Sequence, residues 1–99
     1  MFRVIVRTDK FDWDDIDYLL MDIDSPIIPT VGSTFVHRYT SGELKEDFEF
    51  KISDVKYVYT ADYFNIDRLP KNEDYYVNVY VEPTSSNATY KRISYLIER

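Results

Sequence analysis

The chain has 99 residues, of which 44% are hydrophobic, 17% aromatic and 30% charged, and its formal net charge is −6 at pH 7. This composition excludes an intrinsically disordered chain, and the length fits a single domain spanning residues 1–99. The absence of cysteine excludes disulfides and a thiol nucleophile and favours a cytoplasmic protein. Because the sequence shows neither a signal-peptide pattern nor an apolar run of membrane-spanning length, no membrane partner is expected.

The negative charge is concentrated in one segment, Asp9 to Asp24 (DKFDWDDIDYLLMDID). It contains seven aspartates and one lysine, whereas the rest of the chain is electrically balanced. With a sequence pI near 4.6, direct binding of DNA or RNA is not expected. A basic protein partner would be favoured electrostatically.

The first predicted element is a strand over FRVIVRT. Phe2, Val4 and Val6 alternate with Arg3 and Arg7, the period-two pattern of a strand with one buried face.

The acidic segment that follows is predicted to be an amphipathic helix. Asp12 can cap its N-terminus, and Pro26 requires it to end near Asp24 or Ser25. Five apolar side chains fall within about 120° of arc at 100° per residue. They are Trp13, Ile16, Leu19, Leu20 and Ile23. Residues on the opposite arc would form an exposed acidic surface, with Asp14, Asp15, Tyr18 and Asp22 among them.

Two further strands are predicted around an exposed hairpin. Ser33 to Tyr39 is rich in β-branched and aromatic residues, and TSGELKED carries the turn signal that should connect it to FEFKISDVKYVY. The apolar phase of this last stretch slips by one position at Ser53–Asp54, which predicts a β-bulge or a sharp bend. Tyr57 and Tyr59 follow the new phase and are therefore assigned to the core.

The stretch YYVNVYVEP predicts another strand, with Val77, Val79 and Val81 inward. Tyr76 and Tyr80 would then share the outer face, where they could pack against a neighbouring strand or contact a partner.

Residues 88–97 fit either a strand or a helix, and their β-branched and aromatic content favours a strand that closes a hairpin. The predicted order is therefore β-α-β-β-β-β. It indicates an α+β fold, a curled antiparallel sheet or small, partly open β-barrel covered by one N-terminal amphipathic helix. The alternative is a two-layer α/β sandwich.

No catalytic, metal-binding or cofactor-binding site is predicted. The aspartates lack the spacing of an EF-hand loop, and carboxylates on the outer arc of a helix would stay solvated. His37 is the single histidine and has no nucleophile or carboxylate motif beside it, and phosphate-binding and nucleophile-elbow motifs do not occur. An enzyme of a standard class is therefore not expected.

The sequence favours a small non-enzymatic binding module that contacts a basic protein through its acidic helix and nearby aromatic residues. The simpler interpretation of the acidic residues is a solvated helix face that caps the helix and keeps the protein soluble. A more specific alternative is a nucleic-acid mimic that inhibits a DNA- or RNA-binding protein, of the kind that mobile elements encode. A third is a small ligand-binding barrel or an unusual enzyme. The predicted partner-binding residues are Asp14, Asp15, Asp17, Asp22, Tyr18, Tyr76 and Tyr80.

Overall fold

A computed structural model describes residues 1–11, 16–59, 75–86, 89–91 and 93. In these residues the chain forms one curled five-stranded sheet with the strand order β2-β1-β5-β4-β3. The strands are β1 (Phe2–Thr8), β2 (Tyr18–Ser25), β3 (Thr34–Ser41), β4 (Leu44–Tyr59) and β5 (Tyr75–Pro83). β1 and β5 run parallel, and the other neighbouring pairs run antiparallel. The sheet is therefore mixed, which corrects the prediction of a purely antiparallel one.

The prediction of an N-terminal helix was wrong, because Tyr18–Ser25 is strand β2 and pairs with β1. Leu19 and Ile23 would belong to the buried stripe of a helix, yet each is 50% exposed. Tyr18 and Leu20 are the buried residues of the strand. Aspartate is a weak helix former, and β1 supplies partners for every residue of β2 except Leu20, so tertiary pairing overrides the helical spacing. The part of the predicted helix over 12–15 lies outside the described residues.

Over the described residues the fold is consequently almost entirely sheet and curls into a half-barrel, which contradicts both the predicted α+β fold and the alternative of a two-layer α/β sandwich. The prediction of a curled sheet is confirmed, and so is the bulge that bends it. The register of β4 against β5 shifts between Ile52 and Asp54. The Ser53 hydroxyl donates a hydrogen bond to the backbone oxygen of Tyr80 over 3.1 Å, which ties the bulge to β5.

The core lies on the inner, concave face of this sheet. Its buried strand residues include Val4, Val6, Phe48, Phe50, Ile52, Val77, Val79 and Val81, which confirms the predicted inward faces of β1, β4 and β5. Phe11 and two residues near the end of the chain, Tyr90 and Ile93, are buried in the same cluster.

The prediction of a strand near the end of the chain was wrong where the structure can be described. Thr89, Tyr90, Lys91 and Ile93 are helical. The helix is favoured because Tyr90 and Ile93, three residues apart, both enter the core, as helical spacing allows. Residues 94–97 lie outside the described residues.

Candidate functional site

Two of the predicted acidic residues lie beside arginines of β1. Asp22 accepts two hydrogen bonds from Arg3, from Nε at 3.1 Å and from Nη2 at 2.9 Å. These bonds hold the pKa of the Asp22 carboxyl below its usual range. Asp17 Oδ2 lies 3.0 Å from Arg7 Nε. The sheet thus brings positive charge from a neighbouring strand onto the acidic segment and weakens its field.

Tyr76 and Tyr80 lie on the outer, convex face of β5. Both are half-buried, and a positively charged side chain lies over each ring. The guanidinium carbon of Arg3 is 5.9 Å from the Tyr76 ring centroid, and Lys56 Nζ is 5.3 Å from the Tyr80 ring centroid. Both distances fit cation–π interactions. The two rings therefore already have partners within the chain.

The seven predicted partner-binding residues do not form one surface. Asp17, Asp22, Tyr76 and Tyr80 belong to the polar network of the outer face. Tyr18 is only 4% exposed and packs edge-to-face against Phe11 with ring centroids 5.2 Å apart. Asp14 and Asp15 lie outside the described residues.

A different surface gathers aromatic side chains at one end of the inner face, where β1 and β5 begin and β4 ends. We call this set, Phe2, Tyr57, Tyr59 and Tyr75, the tyrosine patch. Tyr75 is paired with Tyr59 across the sheet, and its ring lies 6.2 Å from that of Tyr57 and 6.4 Å from that of Phe2. Tyr57 is 60% exposed and Tyr59 is 51% exposed, so their assignment to the core was wrong.

The tyrosines were assigned to the core because they follow the inward phase of β4 after the bulge. That phase predicts which side of the sheet a side chain faces, but it does not predict how deeply the side chain is buried. Farther along the same face, Tyr90 and Phe11 pack against Phe50, with ring centroids 5.2 and 6.4 Å away. The rings that close the core are therefore gathered toward the Phe50 part of the sheet, and Tyr57 and Tyr59 extend beyond it.

His37 lies in an aromatic row on the inner side of β3. Its imidazole is 4.8 Å from the Tyr39 ring and 6.2 Å from the Phe35 ring, measured between centroids. Its Nδ1 is buried and has no hydrogen-bond partner among the described residues. Burial lowers the pKa of His37, because a protonated imidazole is poorly solvated there.

This burial predicts a pH-dependent stability. Because the folded-state pKa of His37 lies below 6.5, the unfolded chain binds the proton more readily than the folded chain. The contribution of neutral His37 to the free energy of unfolding should be fully present above pH 6.5. It should decrease as the pH falls toward the folded-state pKa. Urea unfolding at several pH values should show a shallower acid-side loss of stability for His37→Gln than for the wild type. Parallel curves for the two proteins would contradict this prediction.

A polar cleft of about 500 Å³ lies beside the bulge on the outer face. It is lined by Asp9, Lys10, Ser53, Asp54, Lys56, Tyr80, Val81 and Glu82. Lys56 Nζ lies 3.7 Å from Asp54 Oδ2 and above the Tyr80 ring, so charged side chains of the cleft interact with groups of the cleft itself. In the part of the chain that can be described, no three potential ligand side chains are grouped to hold a metal ion.

Comparisons with protein-family models, with curated proteins and with solved structures gave no significant match. Among the described residues, no helix has the length and apolar character needed to cross a membrane.

Proposed function

We propose that this chain is a non-enzymatic, cytoplasmic protein-binding module whose tyrosine patch contacts a basic segment of a partner protein. The observation that carries the proposal is the exposure of Tyr57 and Tyr59 beside Tyr75, whose ring contacts those of Tyr57 and Phe2. Tyrosine is enriched at protein interfaces because its ring offers a large apolar area and its hydroxyl tolerates water.

The neighbouring rings also favour binding by limiting the freedom of the patch. Tyr75 is half-buried and contacts both Phe2 and Tyr57, with the Tyr57 ring inclined to it by only 25°. Side chains that are already held in place lose little conformational entropy when a partner docks. The tyrosine patch is therefore partly preorganised for binding a partner.

Charge is the reason to expect a basic partner. The chain carries a net charge of −6, which attracts positively charged proteins and speeds their encounter. Arginine and lysine side chains also bind the faces of tyrosine rings, as Arg3 and Lys56 do on the outer face of this sheet. An arginine-containing segment would gain from both effects.

The arrangement of the acidic residues gives less support to a nucleic-acid mimic. Such a mimic needs an uninterrupted array of negative charge, whereas Arg3 and Arg7 lie beside Asp22 and Asp17. A ligand-binding barrel is also less favoured, because Phe11, Phe50 and Tyr90 occupy the concave face with their own rings.

Isothermal titration calorimetry with a synthetic peptide of alternating arginine and glycine tests the proposal. The wild type should bind this peptide, and Tyr57→Ser combined with Tyr59→Ser should weaken binding by about tenfold or more, equivalent to about 1.4 kcal/mol. Circular dichroism should show an unchanged fold, because both side chains are exposed.

The matched control combines Asp17→Asn with Asp22→Asn, which removes negative charge and leaves the tyrosine patch intact. It should change the affinity much less than the tyrosine variant does. A second control is a glutamate–glycine peptide, which should not bind. Absence of binding by the wild type, or equal binding by the wild type and the tyrosine variant, would refute the proposal.

A further inference from the structure

The two edge strands of the described sheet differ in how they are protected against further pairing. β2 has a register irregularity opposite Val6 and Arg7, carries Asp22 and Asp24, and is followed by Pro26. Bulges, charges and proline are devices that discourage strand addition. β3 contains no proline, its one charged side chain, Arg38, is paired with Asp47, and it pairs with β4 in unbroken register from Thr34 to Ser41. Within the described sheet, β3 is therefore the edge that is less protected against pairing with another strand.

The alternation of backbone hydrogen bonds shows which residues of β3 could accept that strand. The backbone N–H of Ile52 donates to the carbonyl of Ser33 over 2.9 Å, so Ser33 and every second residue after it direct their backbone groups toward β4. The intervening residues direct theirs to the open edge of the described sheet. These residues are Thr34, Val36, Arg38 and Thr40.

We propose that β3 pairs antiparallel with β3 of a second copy of this chain, with the two-fold axis at His37. In this register His37 lies opposite its own counterpart, and each Val36 lies opposite Arg38 of the other copy. Phe35 faces Tyr39 and Thr34 faces Thr40. Aromatic pairs and threonine pairs are favourable cross-strand combinations.

The two nearest symmetric registers that pair outward-facing residues, centred on Arg38 and on Val36, are less favourable. Centring on Arg38 places two arginines directly opposite each other, which is destabilising. Centring on Val36 places Thr40 beyond the start of the other strand and separates Phe35 from Tyr39. In the His37 register Arg38 faces Val36 and needs no counter-ion from the second copy, because its Nε and Nη2 donate to Asp47 of its own chain at 2.7 and 2.9 Å.

The same register would offer a hydrogen-bond partner to the buried imidazole nitrogen of His37. Its Nδ1 has no hydrogen-bond partner within the described chain, and the symmetric pairing places a second imidazole next to it. The proposal does not depend on the tyrosine patch. β3 pairs with the Leu44–Lys51 part of β4, whereas Tyr57 and Tyr59 lie at its far end.

Single cysteines test the register, because the natural chain contains none. Residues facing each other in a non-hydrogen-bonded antiparallel pair have Cα atoms about 4.5 Å apart, within disulfide range. His37→Cys should therefore give a covalent dimer of twice the 11.9 kDa chain mass on mild oxidation. The matched control is Tyr39→Cys, whose counterpart would lie four residues away along the strand, about 13 Å, and should not cross-link.

The association itself is tested without cysteines by sedimentation of the wild type and of Val36→Pro. Proline at this position removes an outward N–H group without removing a bond to β4. The wild type should sediment as a dimer at high micromolar concentration and Val36→Pro as a folded monomer. A monomeric wild type, or cross-linking of Tyr39→Cys as readily as His37→Cys, would overturn the proposal.

Discussion

Replacing Phe50 with alanine is expected to lower the free energy of unfolding by about 3–5 kcal/mol. The Phe50 side chain is fully buried at the centre of the inner face. Its ring lies within 6.4 Å of the rings of Phe11, Phe35 and Tyr90. Truncation would remove the ring contacts that Phe50 makes with β3 and with the helical segment at Tyr90. Because β4 is held between β3 and β5, the strands could not move in to fill the cavity left by the ring.

Urea unfolding followed by circular dichroism would measure this loss. Tyr59→Ala on the same strand is the matched control, because it removes a ring that is half exposed, and it should change the stability by much less. A loss below about 1 kcal/mol for Phe50→Ala would contradict the position assigned to this ring.

The second large effect is expected at Tyr90, whose hydroxyl connects the helical segment to the sheet. It donates a hydrogen bond to the backbone oxygen of Glu49 and accepts one from the backbone N–H of Thr84 at 3.0 Å. Tyr90→Phe keeps the buried ring and removes both bonds. The free energy of unfolding should fall by about 1–3 kcal/mol, because the partners lose their hydrogen bonds at a partly buried site.

The same hydroxyl can be tested from its partner's side. Thr84→Val removes the threonine hydroxyl, which donates to Glu49 over 3.1 Å and lies 3.3 Å from the Tyr90 hydroxyl, and keeps the backbone N–H. A double-mutant cycle should show coupling between the two substitutions, because they act on one hydrogen-bond network. Strict additivity together with a wild-type-like Tyr90→Phe would argue against this network.

Much of the sheet could be predicted from local pattern alone. The alternation of Val4 and Val6, and that of Val77 and Val79, identifies the buried faces without any knowledge of neighbours. The phase slip at Ser53 likewise reveals the bulge, because a strand cannot keep two phases on one core without an extra residue.

The errors arose where the outcome depends on a distant partner. The spacing of Leu19, Leu20 and Ile23 suits a helix, but the segment is a strand because it pairs with β1. The acidic segment has a net charge of −6 along the sequence, whereas the sheet places Arg3 and Arg7 beside two of its aspartates. The candidate site was missed for the same reason. The alternation of β4 determines which side of the sheet Tyr57 and Tyr59 face, whereas their burial depends on whether distant parts of the chain pack over them.

The central claim, that the tyrosine patch is the partner-binding surface, is tested most directly by nuclear magnetic resonance. The ¹⁵N-labelled protein would be titrated with the arginine–glycine peptide while backbone amide shifts are followed. We predict that the largest changes fall at Tyr57, Tyr59 and Tyr75. Changes concentrated instead at Asp17 and Asp22, on the acidic side of the sheet, would contradict the account.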